Sequence, residues 1–154
     1  GEINQELLGL MLEDDYFKKE YPKSTGPDYF SMDWLLKLLE KLKSEIIEKD
    51  IQATLLELTA MALSKDIEQI RVNTEEIYFC GGGSHNLFLM ERISDLSKRR
   101  CLTTQELGVE PDYLEAICFA WLARERVKGT QFDMQDITGS VGKVFLGKIY
   151  NPTI

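Results

Sequence analysis

Apolar residues recur at helical spacing along most of this chain and fall into short strand-like runs only in its middle. Residues 3–13 place Ile3, Leu7, Leu8, Leu10 and Met11 on one face, which predicts a helix. Pro22, Gly26 and Pro27 then mark a loop. Ser31 is suited to cap the next helix, with Asp33 in its first turn. That helix is predicted to run to about Lys49 and to bury Trp34, Leu35, Leu38, Leu39, Leu42 and Ile46. Asp50 is suited to cap a third helix, with a stripe of Ile51, Leu55, Leu58, Ala62 and Leu63 that continues to Ile70. Glu57 and Thr59 interrupt the stripe and read either as groups facing a cleft or as a solvated edge.

The pattern changes at residue 77. Ile77-Tyr78-Phe79-Cys80 reads as a strand and runs into Gly81-Gly82-Gly83. An amphipathic segment starts at Asn86 and turns Leu87, Met90, Ile93 and Leu96 inward. Cys101–Thr103 reads as a second strand. Pro111 suits the first turn of a further helix, lined by Leu114, Ile117, Cys118, Trp121 and Leu122 and stopped by Gly129. Asp112 and Glu115 sit near its start, where negative charge is favoured. The tail is loop-like with one strand candidate, Val144–Tyr150. The β-α-β-α alternation predicts an α/β fold, mainly helical, with a small parallel sheet. So thin a sheet implies further strands supplied from elsewhere.

Composition narrows the partners. The 154 residues are 44% hydrophobic, enough for one core. The formal net charge of −8 argues against a nucleic-acid backbone as partner and leaves a small anionic ligand open. No apolar run is long enough to cross a membrane, and the first residues are acidic and amphipathic, unlike a signal peptide. Cys80, Cys101 and Cys118 form no CxxC pair and His85 adjoins none of them, so no zinc pattern is present. An odd count without framework spacing suits a reducing cytoplasm. Cys80 and Cys118 are expected to be small buried hydrophobes.

The glycines carry the chemical question. In open α/β sheets, ligands bind at the carboxyl ends of strands, where Gly81–Gly83 stand. Without Cβ atoms a flat or charged ligand can touch the backbone. The stretch lacks the third glycine of GxGxxG, and Gly142-Lys143 and Gly147-Lys148 are followed by Val and Ile, so neither is a P-loop. The triple glycine therefore reads equally as a ligand contact or as a tight strand-to-helix turn. His85 reads first as a surface turn residue, with no carboxylate partner evident, and second as a phosphate ligand or base. Lys23, Ser24 and Thr25 form either an anion-holding loop or a polar turn. Asp112 and Glu115, one helical turn apart, suit sugar hydroxyls or simple helix-start charge complementarity.

The order of the pieces is more specific than any one of them. "PKSTG" precedes "FSMDWL", "DIQATLLELTAMAL", "CGGGSHNLFLM", "TTQELGVEPDYLEAICFAWLA" and "DITGSVGKVFLGKIYNP". This series resembles the C-terminal portion of the anhydro-N-acetylmuramic acid kinases over nearly the whole chain. The resemblance implies the second lobe of an actin-like ATPase (ribonuclease H-like) fold. It also implies a cytoplasmic enzyme of peptidoglycan recycling that uses ATP and Mg2+. Such an enzyme opens the 1,6-anhydro ring of anhydro-N-acetylmuramic acid with water and phosphorylates O6, giving N-acetylmuramic acid 6-phosphate. On the same grounds Gly81, Gly82, Gly83 and Asn86 match the turn that packs against the nucleoside. Asp112 and Glu115 match a D-x-x-E-A motif beside the cleft, with Glu115 assigned to sugar contact, and a homodimer is implied. Pro27-Asp28 stand where the family usually has Arg-Glu. The family's N-terminal phosphate loop, its general-base aspartate and its second phosphate turn have no counterpart. Residues 1–154 are therefore expected to be a single C-terminal lobe without catalytic residues or metal ligands of its own, inactive without the N-terminal lobe. Two rivals remain: a standalone α/β binding module, and another sugar or acyl kinase of the superfamily.

Overall fold

A computed structural model of the chain describes residues 1–20, 23–69 and 74–150. Its elements are α1 (Gln5–Leu12), α2 (Met32–Leu39), α3 (Glu48–Gln69), β1 (Glu76–Phe79), α4 (Leu87–Ser97), β2 (Arg100–Thr103), α5 (Leu114–Lys128), β3 (Phe132–Asp133), α6 (Gln135–Thr138) and β4 (Lys143–Val144). Helices dominate and the sheet is small, as the α/β reading expects. β1 and β2 pair in parallel, with Glu76 opposite Arg100 and Phe79 opposite Thr103, and α4 is the crossover between them. Both strands therefore end at the same edge, and the loops that follow them emerge side by side.

Helix α3 is the hub. Its spacing puts Thr54 and Leu58 on one side and Glu57, Ala60 and Ser64 on another, and all five are buried. The first side meets α1 and α2. There Leu7, Leu8, Met11, Phe17, Leu38 and Leu58 form the core, joined by half-buried Trp34, Leu35, Leu42, Ile46 and Leu55. Asn4 caps α1 by accepting from the Leu7 N–H at 2.9 Å, and its own N–H donates to Thr54 Oγ1 at 3.0 Å. The second side meets α4, whose Met90 and Ile93 are buried. Small Ala60 and Ser64 let the two helices approach closely. Asp14 fastens the loop after α1: it accepts from the Tyr16 N–H, the Tyr29 hydroxyl and the Trp34 Nε1–H. Burial alone would raise its pKa, but these three hydrogen bonds hold it below the ordinary carboxylate value.

Several expectations are corrected. The helix opened by Ser31 ends at Leu39, not near Lys49. Leu42 and Ile46 still reach the core, but from a turn, so helical spacing described their burial without requiring a continuous helix. Asp50 is not a cap: α3 starts at Glu48, and Asp50 Oδ1 instead accepts the Glu2 N–H at 2.8 Å. Ile70 lies outside the described residues. Leu87 is 78% exposed, at the open end of α4. The tail strand is Lys143–Val144 and shares only Val144 with the expected Val144–Tyr150; it pairs antiparallel with Phe132–Asp133, for which no strand was expected. Cys80 and Cys118 are exposed rather than buried. The largest difference is α5, which has no buried residue. Ile117, Phe119, Trp121 and Val127 face solvent along it. The expected stripe is covered only in part: Leu114 and Leu122 are half-buried and the Trp121 ring packs 5.3 Å from that of Phe132, while Ile117 and Cys118 stay exposed.

Candidate functional site

The three glycines play different parts. Gly81 has φ 75° and ψ −179°, a region that only glycine enters readily. Its N–H donates to the Pro111 carbonyl at 3.0 Å, and its own carbonyl accepts from both the N–H and the Oγ of Ser84. This residue turns the chain out of β1 and ties it to the loop after β2. Gly82 and Gly83 begin a 3-10 turn, Gly82–His85, and neither has a positive φ. A Cβ on either would meet nothing within 4 Å. The fold therefore explains Gly81 and leaves the other two glycines without a structural reason. Among the described residues the Gly82 and Gly83 N–H groups find no backbone acceptor, as is usual at a helix start.

Asn86 follows, with its Oδ1 accepting from the Leu89 N–H at 3.2 Å to cap α4. It also lines a groove of about 740 Å³ between α3 and α4. Ile3, Gln52, Leu56 and Thr59 form one wall, and Phe88 and Arg92 the other. Glu57 and Thr59, the two interruptions of the α3 stripe, both face this groove. Of the four residues matched to a nucleoside turn, Asn86 lines the groove, and Gly81, Gly82 and Gly83 do not.

Sequence reading missed the strut that spans the groove floor. Arg92 donates from Nε to Glu57 Oε2 at 2.6 Å and from Nη2 to Oε1 at 2.7 Å. This bidentate fork keeps the arginine protonated, its pKa raised first by that hydrogen bond. The glutamate side chain is 6% exposed and the arginine 38%. Arg92→Ala strands a buried carboxylate, whereas Glu57→Gln leaves a guanidinium that water can reach. Arg92→Ala is thus expected to cost about 3 kcal/mol, and Glu57→Gln clearly less. Urea unfolding of the two variants checks this; equal losses would contradict it.

The other candidates come together across the strand ends. Pro111, Asp112 and Tyr113 form a 3-10 turn that leads into α5. His85 Nε2 lies 2.8 Å from Asp112 Oδ1, so the histidine does have a carboxylate partner, 27 residues away. The signal was available in principle, because a parallel β-α-β unit brings both following loops to one edge. Its hydrogen bond to Asp112 raises the His85 pKa above the ordinary value. Glu115 stands in the first turn of α5, exposed. It makes no side-chain hydrogen bond or ion pair among the described residues. Lys23 is not a free anion donor: its Nζ lies 2.7 Å from Asp66 Oδ1, and its side chain is 8% exposed. Ser24 and Thr25 are exposed, and Pro22 lies outside the described residues.

Comparison with known proteins gives a family for the chain. The profile of the anhydro-N-acetylmuramic acid kinases matches residues 1–152. A relative from Pseudomonas savastanoi pv. phaseolicola, named anhydro-N-acetylmuramic acid kinase, is 39% identical over 97% of this chain and 41% of its own length. Proteins of the same name are 38% identical in Coxiella burnetii, over 97% of this chain and 40% of theirs, and 40% identical in Pseudomonas fluorescens, over 97% and 41%. The chain thus spans about 40% of the length of these curated relatives.

Proposed function

The chain belongs to the anhydro-N-acetylmuramic acid kinase family, and from that premise we propose that it forms the nucleoside-binding, C-terminal lobe of an ATP-dependent sugar kinase with an actin-like ATPase fold. The observation that carries this reading is the unexplained pair Gly82 and Gly83. Their backbone conformation is ordinary and the space above them is open. A ligand lying on that backbone supplies the missing reason for two residues without side chains. The adjoining groove beside Asn86 is large and shaped enough for a base and ribose.

In this reading adenosine lies against Gly81–Gly83 and Asn86, and its phosphates point toward a partner lobe. Asp112 and Glu115 reach the sugar from the same edge. The complete enzyme adds water across the 1,6-anhydro bond of anhydro-N-acetylmuramic acid and transfers a phosphoryl group to O6. Phosphoryl transfer also needs a metal, a phosphate cradle and a base in one place. Among the described residues no group of three or more His, Cys, Asp or Glu side chains gathers to hold a metal, so none of them is assigned to Mg2+. The exposed apolar residues of α5, Ile117, Phe119 and Val127, are available for burial against the rest of a longer kinase.

Glu115 makes no side-chain hydrogen bond or ion pair among the described residues, which makes it a clean test of the sugar assignment. Glu115→Gln in the complete enzyme is expected to lower kcat/KM for anhydro-N-acetylmuramic acid by about a hundredfold, a loss of about 2.7 kcal/mol. KM for ATP should stay near the wild-type value. Steady-state kinetics with each substrate varied in turn measures both, and sugar kinetics within twofold of wild type would remove Glu115 from the site.

A further inference from the structure

We propose that His85 is a positioning residue that sets the sugar-binding edge from the nucleotide side, by holding Asp112 and the start of α5 against the glycine turn. This rests on the functional reading above and extends it to a residue which that reading leaves idle.

The argument starts from how the two segments are joined. The turn after β1 and the turn before α5 are linked by two hydrogen bonds. One is between backbones, from the Gly81 N–H to the Pro111 carbonyl at 3.0 Å. The other is between side chains, His85 Nε2 with Asp112 Oδ1 at 2.8 Å. The backbone bond holds the chain at Pro111 and leaves the Asp112 side chain unfixed. The side-chain bond supplies that restraint: His85 and Asp112 are 57% and 54% exposed, and Asp112 stands one helical turn before Glu115. Asp112 gives Oδ1 to the histidine and keeps Oδ2 for a ligand. One imidazole thereby fixes the orientation of a carboxylate offered to the sugar, while it sits on the turn offered to the nucleoside.

The link depends on protonation. The charged groups that reach His85 are Asp112 and, more weakly, Glu110, and both favour the imidazolium. The pair is ionic below the raised pKa of His85. It weakens to a single neutral-donor hydrogen bond as pH climbs through that value. The positioning effect is therefore full below the raised pKa of His85 for as long as the Asp112 carboxylate is ionised, and it fades on the alkaline side.

The test uses the complete kinase and its steady-state kinetics. His85→Ala is expected to raise KM for the sugar about tenfold, since small misplacements of a positioning group carry such penalties, with kcat changed less and KM for ATP within about twofold. His85→Gln, which keeps a neutral donor, is expected to recover most of the loss. It should also abolish the rise in sugar KM expected of the wild type as pH climbs through the raised pKa of His85. Two kinetic results would overturn the proposal: a sugar KM unchanged in His85→Ala at every pH, or equal increases in the two KM values. If the wild-type enzyme does not act on this sugar at all, the functional reading fails and the His85 link is decided separately by NMR. The ring of His85 should then titrate higher in the wild type than in Asp112→Asn, where it falls back toward 6.5, the ordinary value. Identical titrations in the two proteins would sink it.

Discussion

Valine at position 82 is expected to weaken ATP binding by about a hundredfold, roughly 2.7 kcal/mol, while the unfolding midpoint of the protein stays near that of the wild type. The second half of this expectation follows from the fold. Gly82 lies in an exposed 3-10 turn with a negative-side φ, and a Cβ there meets nothing within 4 Å. The first half follows from the proposed ligand, which would have to lie where the new methyl groups stand. The neighbouring position supplies the contrast. Gly81 also has open space around its Cβ position, but its φ of 75° and ψ of −179° cost any other residue about 1–3 kcal/mol. Gly81→Ala should therefore destabilise the fold whether or not a nucleotide is present. Calorimetric ATP titration and thermal unfolding of both variants separate the two kinds of glycine. A Gly82→Val protein that binds ATP as tightly as wild type would show that this space is not a ligand site.

The second large effect concerns the chain by itself. These 154 residues are expected to give no detectable ATP-dependent phosphorylation of anhydro-N-acetylmuramic acid. Catalysis of this type comes from positioning and charge stabilisation around the transferred phosphoryl group. The sequence carries no P-loop, and it spans only about 40% of the length of its curated relatives. In the proposed reading the glycine turn and Glu115 contribute substrate contacts only, and the transfer needs groups that are not assigned to any residue of this chain. A coupled ADP-release assay with the sugar, run beside the complete enzyme, measures this. Turnover by the chain alone would mean that a base and a phosphate cradle are present among residues that have not been assigned to them.

How much was legible depended on whether the determining contact was local. Ser31 was read as a cap before an apolar run and is one, and Gly129, read as a stop, ends α5 with φ 73°. Their geometry is set within four residues, so the sequence states it directly. The break after Leu39 was not legible, because Leu42 and Ile46 fit a helical stripe and reach the same core from a turn. Burial of α5 was overestimated for a different reason: an apolar stripe predicts a covered face but does not say what covers it. The Arg92–Glu57 strut and the His85–Asp112 pair join residues 35 and 27 positions apart, and only the folded arrangement brings them together. The glycines show both cases at once. The sequence marks all three, but only the structure distinguishes the one that the backbone needs from the two that it does not.

That distinction is the centre of the account, and one measurement addresses it most directly. ATP is titrated into the complete, isotope-labelled kinase while the backbone amides of Gly82 and Gly83 are followed by NMR. The account predicts large, saturable shifts at both amides, with the same midpoint as ATP binding measured calorimetrically. Saturating ATP that leaves both amides unmoved would contradict it.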